Sequence, residues 1–197
     1  KYYKKIQKPI ISLDRIISGV PLVTSDHVRG GDIAARKLLE KGCKRLLNLS
    51  DPNEKMVASS RSGESIIRVM EENGAEVVTE SFLWIDVIHY SRSIRRAREI
   101  LKAHPNLDGI VANDLCASAF LKIAGEMGIS VPRDLKIIAY DGTYITDFNF
   151  KTIAAIQQDV ALIAKEAVRV LIKLINRQPL ENDEIYVPVH YKGGDTV

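Results

Sequence analysis

The sequence predicts an α/β protein built on parallel strands. Short apolar runs rich in β-branched residues alternate with longer stretches whose apolar residues recur at helical spacing. Of the 197 residues, 46% are hydrophobic and 27% are charged, so the chain can bury a core in one large or two small domains. We therefore expect strands and helices to alternate along the whole chain.

The predicted elements follow one another without internal repeats or low-complexity linkers. Strands are expected at 9–13, 20–23, 44–49, 76–84, 108–112, 135–140 and 184–191. Helices are expected at about 26–40, 60–73, 91–104, 115–127 and 159–176, the last of them capped by Asp159. Pro188 interrupts the final run, and because proline cannot donate to an inner ladder, we expect an edge strand there.

Composition argues against several classes of protein. The net charge of +3 comes from scattered residues, and the basic cluster at 92–98 has the spacing of a solvated helix face, so this segment is not expected to bind nucleic acid. Two cysteines, Cys43 and Cys116, without a CxxC pair predict neither a disulfide framework nor a zinc site, and they fit the cytoplasm. No apolar run has the length of a membrane span, and no export signal is recognisable.

Motifs of common enzymes are also absent from the sequence. It contains no GxGxxG, no phosphate loop, no GxSxG and no HExxH. The glycine pair Gly30 and Gly31 lacks the lysine of a phosphate loop, so close backbone packing is the expected reason for it. The four histidines have no metal spacing, and we expect structural or surface roles for them, with no metal and no cofactor. The joint absence favours binding over catalysis.

Polar residues follow the predicted strands at the points where these strands end. They are Asp14, Ser50 with Asp51, Asn113 with Asp114, and Asp141. In open parallel sheets, ligands bind beyond the carboxyl ends of the strands. Carboxylates and carboxamides suit a neutral polyol, because each hydroxyl group both donates and accepts a hydrogen bond. The pattern therefore favours a site for a sugar-like ligand.

Most of these residues also have a purely structural interpretation, and Asn113 could itself be a helix cap. Asp114 precedes a helix and is a candidate for its N-cap. Asp141 is followed by glycine and could form a simple turn, and the same holds for Asp14. Arg61 lies at the head of a helix, where a cation opposes the helix dipole, so it needs a ligand or a carboxylate as partner. Trp84 and Tyr90 could form an aromatic wall for a sugar ring or pack in the core.

Four segments resemble one protein family. Residues 108–114 read DGIVAND, and after a helix residues 128–143 read GISVPRDLKIIAYDGT. Residues 41–49 read KGCKRLLNL, with Cys43 where the family has histidine, and residues 153–159 read IAAIQQD. In this order and spacing, the segments resemble the regulators of the lactose and galactose repressor family (LacI/GalR) over nearly the whole chain.

The resemblance implies a two-lobed, type I periplasmic-binding-protein-like fold of parallel sheets flanked by helices. It implies three chain crossings, near residues 50–52, 157–159 and 184. The first lobe would contain residues 1–50 and 159–184, and the second lobe residues 51–158 and 185–197. The N-terminal part of the first lobe and the DNA-binding helix-turn-helix head of the family are expected to be missing from this chain.

The resemblance also implies a set of binding residues. By position, Asp14, Asn113, Asp141 and Gln158 match the effector-binding residues of the family. Arg61 is the nearest match to the family's arginine, although the register differs by about one residue and Ser65 stands where glycine is usual. No catalytic residue is implied.

A function follows from this resemblance. The chain would be the sugar- or sugar-phosphate-binding core of a cytoplasmic repressor, a homodimer that switches its affinity for operator DNA by lobe closure. One alternative is an exported sugar-binding protein of a transport system. The other is an α/β enzyme with Asp14 or Asp141 as general base.

Overall fold

The computed structural model describes residues 8–50 and 60–197, and for Ser50 it describes the backbone alone. Within these ranges, strands and helices alternate as the sequence predicts. The described strands form two sheets, one of six strands and one of three. The predicted α/β class with mainly parallel sheets is confirmed.

The larger sheet provides most of the framework. Its strands are β3 (Arg45–Ser50), β4 (Glu76–Ser81), β5 (Gly109–Asn113), β6 (Lys136–Asp141), β7 (Ala154–Gln158) and β9 (Val189–Lys192). Their order across the sheet is β4-β3-β5-β6-β7-β9, and all neighbours are parallel except β7 and β9. The carboxyl ends of β3, β5, β6 and β7 therefore meet at one edge of this sheet.

Helices cover both faces of the larger sheet and enclose a core on each. They are α1 (His27–Glu40), α2 (Ser60–Glu72), α3 (Trp84–Val87), α4 (Tyr90–Ala103) and α5 (Asp114–Glu126), and a 3-10 helix spans Tyr144–Asp147. Leu46 packs with Leu38 of α1 and Met70 of α2, whereas Leu47 packs with Phe120 of α5. Leu46 and Leu47 serve opposite cores because successive side chains of a strand point to opposite faces.

The smaller sheet has its own core. It consists of β1 (Ser12–Leu13), β2 (Leu22–Ser25) and β8 (Glu184–Val187) in the order β1-β2-β8, all parallel. Helix α6 (Val160–Ile175) packs on it, and Ile163 and Val170 of α6 contact Val23 and Val187. As predicted, Asp159 caps α6, because its carboxylate accepts a hydrogen bond of 2.8 Å from the backbone nitrogen of Leu162.

The sheet pairing corrects the predicted first lobe. Strand β3 pairs with β4 and β5 in the larger sheet, so residues 45–50 do not belong with the smaller sheet as expected. Helix α1 also packs in the larger unit, since its apolar face, including Ala34 and Leu38, lies in the core that Met70 shares. The chain therefore leaves the smaller sheet at Asp26, and not near residue 50, and returns to it after Gln158. It leaves this sheet again at Pro188, and not near 184, so residues 185–187 do not belong to the larger unit as expected. The part of the predicted crossing at 51–52 lies outside the described residues.

Three predicted strands are shorter or divided, and the run at 9–13 forms a strand only at Ser12–Leu13. The run at 184–191 forms two strands in different sheets, because Pro188 lacks the N–H group of a ladder residue and the chain changes sheets there. Both β8 and β9 are edge strands, as the proline predicts. The run at 76–84 ends as a strand at Ser81, and Trp84 begins α3. None of the described helices is long and apolar enough to cross a membrane.

Candidate ligand-binding site

A cavity of about 520 Å³ opens at the carboxyl ends of the central strands. Four of the predicted site residues line it, namely Asp14, Asn113, Asp141 and Gln158. Asp14 follows β1 of the smaller sheet, whereas Asn113, Asp141 and Gln158 end β5, β6 and β7 of the larger sheet. The cavity therefore lies between groups that both sheets supply.

Asp141 is held in an unusual backbone conformation at the end of β6. Its φ angle is 123°, in a region that few residues other than glycine adopt. Its Oδ1 accepts a hydrogen bond of 2.6 Å from Nε2 of Gln158. Burial, with the negative charge of Asp114 as the second cause, raises the pKa of the Asp141 carboxyl to about 6.

Gln158 joins the two sheets. While its Nε2 donates to Asp141 of β6, its Oε1 accepts a hydrogen bond of 2.6 Å from Oγ of Ser25 in β2. The amide is therefore oriented by a donor on one sheet and an acceptor on the other. A change in the angle between the sheets would disturb one of these two bonds.

Asp14 lines the cavity from the smaller sheet and is anchored by neighbours from β2 and α1. Its φ angle is 54°, and its Oδ1 accepts a hydrogen bond of 2.5 Å from Oγ1 of Thr24. Nε2 of His27 lies 3.4 Å from the same oxygen. The hydrogen bond to His27 lowers the pKa of the Asp14 carboxyl, partly opposed by burial, so Asp14 is an acceptor at neutral pH.

Sequence reasoning missed His27, which it assigned to a structural or surface role. The imidazole is 2% exposed, lines the cavity and stacks on Tyr140 with 5.7 Å between the ring centroids. Its Nδ1 lies 3.2 Å from Oη of Tyr140. The signal that could have identified it is its position, directly after Asp26, where the chain enters a helix beside the strand ends.

Asn113 and Asp114 differ from the roles that the sequence suggested, because Asn113 both lines the cavity and caps α5. The N-cap of α5 is Asn113, whose Oδ1 accepts a hydrogen bond of 2.9 Å from the backbone nitrogen of Cys116. The expectation that Asp114 caps this helix is therefore wrong. Asp114 is 3% exposed and accepts from the backbone nitrogens of Gly142 and Thr143, at 3.1 and 2.7 Å, and from Oγ1 of Thr143 at 2.6 Å. It fixes the loop that carries Asp141.

Arg61 does not line the cavity. Its guanidinium forms an ion pair of 3.0 Å with Glu184 and donates a hydrogen bond of 2.7 Å to Oη of Tyr186. Of the two partners that the sequence left open, the structure supplies a carboxylate. Because Arg61 lies in the first turn of α2 and Glu184 begins β8, the pair connects the two units of the fold.

The apolar wall of the cavity contains Trp84 but not Tyr90. Trp84 is 54% exposed and lies near the buried side chains of Phe82 and Val87, which also line the cavity. Tyr90 lines a second cavity instead. One ring of the predicted aromatic wall is therefore present at the site.

The glycine pair at the start of α1 serves packing, as predicted. A Cβ atom on Gly30 would lie 2.2 Å from Oη of Tyr140, and one on Gly31 would lie 2.4 Å from the carbonyl oxygen of Ser62. The helix can therefore approach the cavity only without side chains here. No three His, Cys, Asp or Glu residues are grouped for a metal ion in the part of the chain that the structure describes.

Comparison with known proteins identifies the family to which this chain belongs. Residues 35–197 match the model of the periplasmic binding protein-like domain. The ribose operon repressor of Bacillus subtilis is 32% identical over 197 residues, which cover 98% of this chain and 59% of the repressor. The sucrose operon repressor of Streptococcus mutans is 31% identical over 202 residues, covering 99% of this chain and 59% of that protein. The chain thus spans somewhat more than half the length of these relatives.

Solved structures agree on the fold. A periplasmic binding protein/LacI transcriptional regulator from Alkaliphilus metalliredigens, in complex with D-xylulofuranose, superposes with a TM-score of 0.84 at 24% identity, over 98% of this chain and 72% of that one. A ribose operon repressor protein from Lactobacillus acidophilus superposes with a TM-score of 0.83 at 19% identity, over 97% and 70% of the two chains. The chain belongs to the family of periplasmic-binding-protein-like domains, and its resemblance to LacI/GalR regulators is confirmed.

Proposed function

We propose that the chain is the effector-binding core of a sugar-responsive transcription repressor and that the effector binds in the cavity between the two sheets. One observation carries this proposal: Asp14, Asn113, Asp141 and Gln158, which are far apart in sequence, line the same cavity. The Nδ2 group of Asn113 has no hydrogen-bond partner among the described residues and supplies a donor, while the carboxylates supply acceptors. Such a mixture suits a ligand with several hydroxyl groups.

The relatives support this choice over the alternatives. Those compared above are named as ribose and sucrose operon repressors, and a similar structure is described as a complex of the regulator CelR with cellobiose. These names favour regulation over sugar transport. We further propose that the site binds its ligand without transforming it, and that the whole protein acts in the cytoplasm, where operator DNA is found.

The proposed switch is a shift between two arrangements of the sheets. An effector that contacts Asp14 on one side and Asn113 and Asp141 on the other favours one angle between them. The Ser25–Gln158 hydrogen bond and the Arg61–Glu184 ion pair also join the two units and bias the same equilibrium. The effector changes DNA affinity only to the extent that it prefers one arrangement.

We propose that the whole protein is a homodimer and that a second copy covers an apolar surface of the larger unit. This surface, the aromatic patch, consists of Tyr90, Leu115, Tyr144, Phe148 and Phe150, whose side chains are 41% to 82% exposed. Several of them border the second cavity, of about 420 Å³. Contiguous exposed apolar side chains of this kind are typical of interfaces, and a two-fold dimer would match a palindromic operator.

Calorimetric titration tests the proposed effector class. The chain is titrated with a panel of pentoses, hexoses and disaccharides, and with nucleobases and amino acids as the competing classes. Binding of at least one carbohydrate, lost when Asn113→Ala removes the amide, is the expected result. If a nucleobase or an amino acid binds and no carbohydrate does, the proposal is wrong.

A further inference from the structure

We propose that the effector is an uncharged sugar and that the site discriminates against its phosphate ester. This inference rests on the proposed function, since it concerns the ligand of the same cavity. It narrows the expected class, which included sugar phosphates, to sugars without a phosphate group. The charges of the cavity wall carry the argument.

Acidic side chains border the cavity on several sides. Asp14, Glu64 and Asp141 line it, from the smaller sheet, from α2 and from β6 respectively. Asp114 lies directly behind the loop after β6 and adds a fourth carboxylate close to Asp141. A phosphate dianion in this space would therefore meet like charges from each unit of the fold.

No lysine or arginine that could neutralise a phosphate lines the cavity within the described residues. The residues that line the cavity within 8–50 and 60–197 include neither lysine nor arginine. His27 is the basic side chain among them, and its two ring nitrogens already face Tyr140 and Asp14. Arg61, at the start of α2, is held by Glu184 and Tyr186 outside the cavity. Phosphate sites normally use arginine or lysine to neutralise the ligand. The starts of α2 and α5 do line the cavity, but Glu64 adds a carboxylate near the start of α2, and the Cys116 nitrogen of α5 already donates to Asn113.

The site already resists one more negative charge. Burial and the nearby charge of Asp114 raise the pKa of Asp141, which means that the surroundings disfavour its anionic form. The same surroundings would disfavour a phosphate, which carries nearly two negative charges at neutral pH. Like charges interact strongly in a partly desolvated cavity, because the effective dielectric constant there is well below that of water.

A neutral polyol fits the same groups without this penalty. Its hydroxyl groups donate to the carboxylates of Asp14 and Asp141 and accept from the amide of Asn113. Its apolar ring face can lie against Trp84, which borders the cavity at 54% exposure. The acidic wall thus favours hydroxyl donors and excludes anions, which gives specificity by repulsion as well as by attraction.

Matched pairs of ligands test the inference. The chain is titrated by calorimetry with each sugar of the panel that has an available ester, for example ribose with ribose 5-phosphate and glucose with glucose 6-phosphate. The ester is expected to bind at least tenfold more weakly than the parent sugar. Raising the salt concentration from 50 to 500 mM should strengthen the weak binding of the ester, because salt screens repulsion, and should leave the neutral sugar unchanged.

Two glutamates of α2 give a matched pair of variants. Glu64→Gln removes one acidic group from the cavity wall and is expected to strengthen ester binding two- to threefold. Glu71→Gln removes an exposed carboxylate from the same helix away from the cavity and should change nothing. An ester that binds as tightly as its sugar, or whose affinity falls with salt, overturns the inference and leaves the proposed function intact. If neither sugars nor esters bind, both are wrong.

Discussion

Replacing Asp141 with asparagine is expected to stabilise the ligand-free chain at pH 7.5 while weakening the binding of the sugar. The pKa of the Asp141 carboxyl rises from its usual 3.8 to about 6 in the folded chain. A rise of this size costs the folded state about 3 kcal/mol when the group is ionised, since one pKa unit is worth about 1.4 kcal/mol. Asparagine removes this charge, still accepts from Gln158, and tolerates positive φ better than most residues.

The sign of the pH dependence follows from the direction of the pKa change. Below pH 3.8 the carboxyl is protonated in the folded and unfolded chains alike, so the two proteins should be equally stable. As the pH rises through 3.8 to about 6, the unfolded chain releases its proton first, and the native protein loses stability relative to Asp141→Asn. The advantage of the variant is therefore expected to be about half complete at pH 5 and complete at pH 7.5.

Urea denaturation at pH 5.0 and 7.5 measures this difference. The expected gain in the free energy of unfolding is about 3 kcal/mol at pH 7.5 and roughly half of that at pH 5.0. Glu71→Gln, which removes an exposed carboxylate away from the cavity, is the control for a general loss of negative charge. A variant that is no more stable than the native chain at pH 7.5, or equally stabilised at both pH values, would refute the account of Asp141.

Three further changes test other contacts. Asp114→Ala removes a buried acceptor of three hydrogen bonds and should lower the free energy of unfolding by about 3 kcal/mol in urea denaturation; a loss below 1 kcal/mol would contradict its role in the loop. Arg61→Ala breaks a partly exposed ion pair with Glu184 and should lower the free energy of unfolding by at most about 1 kcal/mol. The affinity for the sugar should fall less than threefold. A tenfold loss of affinity would instead indicate that Arg61 contacts the effector. Phe148→Ser should shift the full-length protein from dimer towards monomer in sedimentation, whereas Val168→Ser, on the exposed face of α6, should not. If both variants behave alike, the aromatic patch is not the dimer interface.

Alternation of apolar runs was enough to predict most of the elements, although not β7 or α3, but it did not predict their assignment to sheets. The strand at 44–49 and the helix before it were predicted close to their observed bounds, yet they were grouped with the wrong sheet. Local periodicity indicates which face of a helix or strand is buried. The sheet that a strand joins depends on contacts between residues remote in sequence, such as Leu46 and Met70. The division at Pro188 has the same origin, because proline marks an edge without saying of which sheet.

The site residues that follow predicted strands could be predicted from the sequence, and the others were harder to predict. Asp14, Asn113 and Asp141 were predicted for the cavity because the ends of parallel strands converge, whereas Gln158 was predicted only from the resemblance to the LacI/GalR family. His27 was missed since a histidine at the start of a helix carries no pattern of its own. Its significance arises from the approach of Tyr140, which becomes possible only because Gly30 lacks a side chain. Arg61 forms an ion pair with Glu184, which lies 123 residues away and which no local pattern could indicate as its partner.

The central claim is that one hydroxyl-rich ligand is held jointly by the strand ends of both sheets. A crystal structure of the chain with the sugar selected by calorimetry tests it most directly. The account predicts sugar hydroxyl groups within hydrogen-bonding distance of Asp14, Asn113 and Asp141 in the same molecule, with the ring beside Trp84. A sugar bound in the second cavity beside Tyr90, or one that contacts residues of a single sheet, would contradict the account.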